Sequence, residues 1–251
     1  MDIKDYLNRI GIEKIEEPSL EFLAELQNQH FLYIPFEDLD IPDGNRIELN
    51  LKKIYNKIIP TKRGGFCYEL NGLFNWLLTS LGFRVDMLSA RVFDFQRNDF
   101  GPEYDHMTLL VHLDKDYLVD VGFGDSFRRP IEMPDGEVED ISGCYRISRK
   151  ADNLFELLKK GDNDFVKQYC FTTAPKKLAD YKEMCDFQQD SPTSHFRTRM
   201  LCTIATETGR ITLSNNSLTI TVNGIKTKTE FTDESEFYFL LKKHFGIVLG
   251  Y

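Results

Sequence analysis

The chain has 251 residues, of which 41% are hydrophobic, and a net charge of −9. That apolar content is enough to bury a core spread over two or three small domains, and it excludes a disordered chain. The acidic balance speaks against general binding to nucleic acid or to an anionic membrane. Five cysteines, odd in number and without a CxxC pair, speak against a disulfide framework or a zinc site, so reduced thiols and no metal are expected.

In chain order, Asp2 to Ile10 predicts a short helix that ends at Gly11, and Ser19 caps a second helix carrying Phe22, Leu23 and Leu26. The N-terminus is charged and amphipathic, with no apolar segment of signal-peptide kind. No run reaches membrane-spanning length, so the reading is a cytoplasmic protein. Pro35 stops any helix in the run from His30 to Glu37, where one acid sits among aromatics. A third helix is predicted over Asn50 to Ile58.

The stretch Pro60 to Gly82 organises the rest. Leu70, Phe74, Leu77, Leu78 and Leu81 recur at helical spacing from Cys67 and lay an apolar stripe on one face, and Gly82 closes the helix. Cys67 therefore falls in the first turn, where unpaired N–H groups and the helix dipole favour a thiolate. A packing cysteine is the default reading of a lone thiol on an apolar face. Gly64 and Gly65 just before it point elsewhere: two glycines at a helix entrance pack nothing, so something must approach the backbone closely.

Beyond Gly82 the character changes to β. Arg84 to Phe95 is rich in branched and aromatic residues, and Met107 to Leu113 and Tyr117 to Phe123 flank the polar turn Asp114–Lys115–Asp116. Short strands continue at Cys144 to Ser148, Leu154 to Leu158, Phe165 to Phe171 and Met200 to Thr206, which suggests a barrel or sandwich. Asp233 to Phe245 returns to a helical pattern.

A cysteine nucleophile needs a base and an orienting group for that base. Among five histidines, His106 opens a strand just after a polar loop, while His112 lies in mid-hairpin and His30, His195 and His244 have unremarkable surroundings. Asp120 is an acid inside an apolar strand and wants a hydrogen-bonded partner, which a backbone amide would supply as well as a histidine. If the hairpin turns at Lys115, Asp120 lies opposite Leu110, on the face of His106 but four residues along, and direct contact calls for a bulge or a longer turn.

The segment RGGFCYELNGLF resembles the active-site signature of the arylamine N-acetyltransferases. IPFEDLDI, DHMTLLV, VDVGFG and SPTSHF support the resemblance in the same order, over essentially the whole chain. It implies an α+β protein: a helical N-terminal domain over residues 1–83, a β-barrel domain over 84–188 and a small α/β lid over 189–251, with a cysteine-protease-like Cys-His-Asp arrangement. Cys67, His106 and Asp120 fall on the nucleophile, base and orienting acid, and Glu37 pairs with Arg63 to steady the cysteine loop. Phe36, Val92 and Phe123 are expected in the amine pocket. Gly122, Gly124, Ser126, Arg128 and Arg129 are expected at the coenzyme A site, although Arg128 and Arg129 read equally well as a solvated pair.

The implied activity is transfer of an acetyl group from acetyl-CoA to an aromatic amine or hydrazine through an acetyl-cysteine thioester, with ping-pong kinetics. A thiol hydrolase or thioesterase using the same triad, a catalytically silent ligand-binding homologue and an amide synthase with a larger donor remain open. Two departures from the family pattern stand out: Asp38 where asparagine is usual, and Asp125 where a further glycine is usual.

Overall fold

A computed structural model describes residues 1–249. Helices come first: α1 (Ile3–Arg9), capped by Asp2, and α2 (Leu20–Tyr33), capped by Ser19, whose hydroxyl accepts the Phe22 N–H at 3.1 Å. After the two-residue strand β1 (Phe36–Glu37) come α3 (Leu51–Ile58), capped by Asn50, and α4 (Cys67–Ser80). Side-chain caps satisfy N–H groups that a helix cannot pair internally, which is why these starts were readable.

The next strands are β2 (Arg84–Asp94), β3 (Asp99–Phe100), β4 (His106–His112), β5 (Asp116–Val119) and β6 (Ile131–Glu132). They are followed by β7 (Glu137–Asp140), β8 (Gly143–Ala151), β9 (Leu154–Lys160) and β10 (Phe165–Lys176). Eight of them run in the order β6-β5-β4-β2-β10-β9-β8-β7, with β3 paired to β2. Because β6 and β7 follow each other in the chain, the sheet curls into a nearly closed barrel, which leaves few free edges.

β4 is buried from His106 to Val111, and its two faces have different neighbours. Leu109 and Val111 pack with the helices around Phe74 and Leu77, while Leu110 points into the barrel with Leu118, Tyr145 and Tyr169. A strand covered on both sides loses the polar alternation of a half-wet one.

After α5 (Lys182–Asp190), strands β11 (Leu201–Thr206), β12 (Gly209–Ser214), β13 (Ser217–Val222) and β14 (Ile225–Glu230) form a second sheet, covered by α6 (Glu234–Phe245). Its order is β1-β11-β12-β13-β14, so residues from the N-terminal third complete it. Residues 209–230 went unread as strands in the sequence. Their signal is the turn chemistry: Asn223 and Gly224 both take positive φ, as a tight Asn-Gly hairpin requires.

Candidate active site

Cys67 is the first residue of α4, and the loop before it is fixed from behind. A Cβ at Gly64 would fall 2.0 Å from the Pro35 carbonyl oxygen, and one at Gly65 would fall 2.7 Å from Glu69 Oε2. The close approach that the glycine pair implies is thus made by the protein itself. The Gly65 carbonyl accepts the Glu37 N–H at 2.9 Å, which stitches the loop to β1.

A buried ion cluster lies beneath this loop. Arg63 forks onto Glu37 at 2.8 and 3.1 Å and reaches Asp40 at 2.8 Å. Lys57 Nζ stands 2.6 Å from Asp40 and 3.0 Å from both Glu69 oxygens. Glu69 Oε2 in turn accepts the N–H of Phe66, the residue before the cysteine, at 3.2 Å. Burial works against the Lys57 cation, yet Glu69, Glu37 and Asp40 hold it above its ordinary value. Burial pushes Glu69 up to about 7, against the pull of Lys57.

On the barrel side, His106 Nε2 lies 2.7 Å from Asp120 Oδ2, with both residues buried. The register expectation is corrected here. The loop spans Leu113 to Lys115 and centres on Asp114, so Leu109 faces Val119 and Leu110 faces Leu118. This two-residue slide sets Asp120 against Thr108, a diagonal neighbour of His106 on the same face and within reach. Strand β5 also stops at Val119 rather than running to Phe123, because the chain there turns to side-chain partners. The Val121 N–H donates to Asn71 Oδ1 at 3.0 Å, and the Gly122 N–H to Asp120 Oδ1 at 2.9 Å.

Asp120 is fully paired. Besides His106 and Gly122, it accepts from Asn71 Nδ2 at 3.0 Å and from the Tyr169 hydroxyl at 3.0 Å. Four donors suit an ionised carboxylate and oblige His106 to carry its proton on Nε2, leaving Nδ1 as a free lone pair. Asn71 sits one turn along α4 from Cys67, and Tyr169 comes from β10; sequence reasoning missed both. An amide on a helix face that also carries leucines was the available signal for Asn71, and none marks Tyr169.

Gly122 abuts the cysteine: a Cβ there would stand 2.8 Å from Cys67 Cα and 2.6 Å from Asn71 Nδ2. Burial pushes the Cys67 thiol well up, opposed by a backbone hydrogen bond from Met107 and reinforced by the Asp105 and Asp120 carboxylates and by Cys185. Burial and the helix N-terminus thus act on this thiol in opposite directions.

Cys67 and His106 line one cleft of about 710 Å³, together with Phe36, Val92 and Phe123. Gly122 and Gly124 also reach it, whereas Ser126, Arg128 and Arg129 do not line it. Arg128 is a correction: it is buried, and its guanidinium donates to Ser142 Oγ at 2.8 Å and to the Thr206 and Gly209 carbonyls at 2.7 and 2.5 Å. It ties the barrel to β11 and β12 instead of facing an anion. The Ser126 hydroxyl is likewise buried away from the cleft, and Arg129 is exposed. Asp125 is balanced by other residues than the arginine pair, namely Lys159 at 3.1 Å and Arg210 at 3.2 Å.

The cleft also takes residues that the sequence did not single out for it, among them Asp38, Asp105, Gln188 and Arg199. Asp38 is buried and accepts the Leu201 N–H at 2.6 Å. Burial pushes its carboxyl up to about 7.

A family model described as N-acetyltransferase matches residues 19–251. Arylamine N-acetyltransferase 2 of Rattus norvegicus is 31% identical over 99% of this chain and 95% of its own length. The solved arylamine N-acetyltransferase of Salmonella typhimurium superposes with a TM-score of 0.92 at 28% identity, over 98% of this chain and 90% of that one. A Bacillus cereus arylamine N-acetyltransferase, described as having a unique Cys-His-Glu catalytic triad, superposes with a TM-score of 0.91 at 28% identity, over 99% of this chain and 100% of that one. Among the described residues no helix is long and apolar enough to cross a membrane. With the matched family model, the full-length similarity and the shared fold together, the chain belongs to the arylamine N-acetyltransferase family and is an acyltransferase.

Proposed function

We propose that the chain moves an acetyl group from acetyl-CoA to an aromatic amine or hydrazine, with Cys67 as nucleophile, His106 as base and Asp120 as orienting acid. The observation that carries this reading is the His106–Asp120 pair, bonded through Nε2 at 2.7 Å, in a cleft that also opens onto Cys67. His106 Nδ1 takes the thiol proton as Cys67 Sγ attacks the thioester carbonyl. The bond from the acyl carbon to the coenzyme sulfur breaks, and the departing thiolate takes that proton.

In the second half, the amine nitrogen attacks the acetyl-cysteine, gives its proton to His106 and expels the Cys67 thiolate. Backbone N–H groups at the start of α4, that of Cys67 among them, meet the oxyanion. Phe36, Val92 and Phe123 supply apolar walls for the aromatic acceptor, Gly122 and Gly124 border the path of the coenzyme chain, and Glu37 with Arg63 holds the cysteine loop. Five free cysteines suit a reducing compartment, and we place the activity in the cytoplasm.

The test is intact-protein and peptide mass spectrometry after brief exposure to acetyl-CoA, followed by a chase with an aromatic amine or hydrazine. An acetyl adduct on Cys67 that the amine removes, yielding acetylated amine, is the expected result. Acetyl-CoA consumed with no effect of amine would turn the reading to hydrolysis. Neither adduct nor turnover would turn it to a silent binder.

A further inference from the structure

Asp105 immediately precedes His106 and shares the cleft with Cys67, yet the steps above give it no part. It is held firmly. Gln188 Nε2 donates to its Oδ1 at 2.9 Å, and the Gln188 amide oxygen accepts the Ser194 hydroxyl at 2.9 Å. The Tyr68 hydroxyl, one residue along from the nucleophile, donates to the Tyr104 and Asp105 carbonyls at 2.7 and 3.3 Å. The carboxylate is thus held by α5 and its backbone by α4, and it is the largest single charge raising the Cys67 thiol.

Among the described residues no cation pairs with Asp105 by hydrogen bond or salt bridge; its side-chain partners are the neutral Gln188 and a backbone N–H from Val92. Of the cleft's other acids, Asp38 is pushed toward its neutral form by burial, and Asp125 is already balanced by Lys159 and Arg210. Arg199 and His195 line the cleft too, but both are exposed, where water screens them. An acyl group arriving on Cys67 therefore meets a fixed, half-buried carboxylate on which His106 and Arg97 act only through space, without a direct ion pair.

We propose that Asp105 is a specificity-determining residue that bars acyl donors carrying their own carboxylate, such as malonyl-CoA, and leaves neutral short acyl groups free to load Cys67. Like charges brought together in a partly desolvated site repel strongly, and discrimination by an installed repulsion is an economical route to specificity. The inference rests on Cys67 being the acylated residue. It adds the acyl class that this residue accepts.

The experiment times Cys67 acylation by intact-protein mass spectrometry, with acetyl-CoA, malonyl-CoA and isovaleryl-CoA. Isovaleryl matches malonyl in heavy-atom count and branching but is uncharged, so it separates charge from size. In the wild type, isovaleryl loading should outpace malonyl loading by about tenfold or more. Asp105→Asn should raise the malonyl-to-isovaleryl ratio by a similar factor, and Asp105→Glu should keep it low. Equal loading of the two donors by the wild type overturns the proposal, as does an unchanged ratio in Asp105→Asn. If Asp105→Asn does not fold, the wild-type ratio still decides. Acetyl loading in the same series keeps the two readings apart: no adduct from any donor overturns the assignment of Cys67 and this proposal together, whereas acetyl loading without charge discrimination overturns this proposal alone.

Discussion

Strand β4 carries a histidine at each end, and each is paired to aspartate. His106 is buried, uses one nitrogen on Asp120, keeps the other free and shares a cleft with the Cys67 thiol. His112 binds Asp116 through Nδ1 at 2.6 Å and Asp86 through Nε2 at 2.9 Å, in an open groove of about 640 Å³ that also holds Arg84 and Lys115. With both nitrogens engaged, the second ring has no lone pair to offer. A histidine–aspartate pair is therefore not a functional signature in itself; the free nitrogen and the cleft shared with a thiol set His106 apart.

The sharpest way to break this contrast is to exchange the fates of the two rings. Cys67→Ala should abolish acyl transfer, and His106→Gln should lower it by about 10²–10⁴-fold, the range for loss of a general base. His112→Gln should leave turnover within about twofold and cost about 0–1 kcal/mol, as for a pair whose carboxylates, Asp86 and Asp116, stand in water. Turnover and urea unfolding of the three variants check this; a large loss of turnover in His112→Gln would erase the distinction.

Next in size is Asp120→Asn. It keeps the shape but loses the charge that keeps the proton on Nε2, so kcat should fall by about 10³–10⁴-fold, the scale for a wrong tautomer in a triad. NMR of the His106 ring would report the proton moving to Nδ1. A variant with near-normal turnover would mean that Asp120 only packs.

The same contrast between dry and wet charge holds for stability. Lys57→Met strands Glu69 and Asp40 in the ion cluster behind the cysteine loop, and should cost about 3–5 kcal/mol in urea unfolding. A change below about 1 kcal/mol would put this cluster with the surface pairs.

Asp38 extends the comparison to pH. Its native carboxyl, pushed up to about 7 by burial, keeps a proton that the unfolded chain releases near pH 3.9. Between those values the native state binds more protons, so stability falls as pH rises through that window. Asp38→Asn removes this slope and should be more stable than the wild type by about 2–4 kcal/mol near pH 8, but not near pH 4. Parallel slopes in wild type and variant would show that the native carboxyl is already ionised.

Local features were legible in the sequence. Capping residues Asp2, Ser19 and Asn50 stand where helices begin, and Cys67 heads a helix because the leucine period starts there. What failed to show were relations across distance. The hairpin register depended on whether Asp114 or Lys115 sits at the tip, a choice the polar trio Asp114–Lys115–Asp116 leaves open. Arg128 read as a phosphate ligand or a solvated charge, because nothing in Arg128–Arg129 tells which side chain turns inward to carbonyls more than seventy residues away. Tyr169 joined the Asp120 network from a strand whose pattern speaks only of burial.

Strand β1 has a consequence for how the protein is made. Its residues pair with β11 on one side and with the cysteine loop on the other, and the adjoining bond from Leu201 to Asp38 joins positions 163 apart in sequence. Contacts that close so long a loop form late, since their entropy must be met before they stabilise anything. During synthesis the helices and barrel emerge first, and the cleft acquires its far wall only when the last sheet docks. The emerging chain therefore carries the Cys67 thiol for most of translation without the enclosure that later shields it.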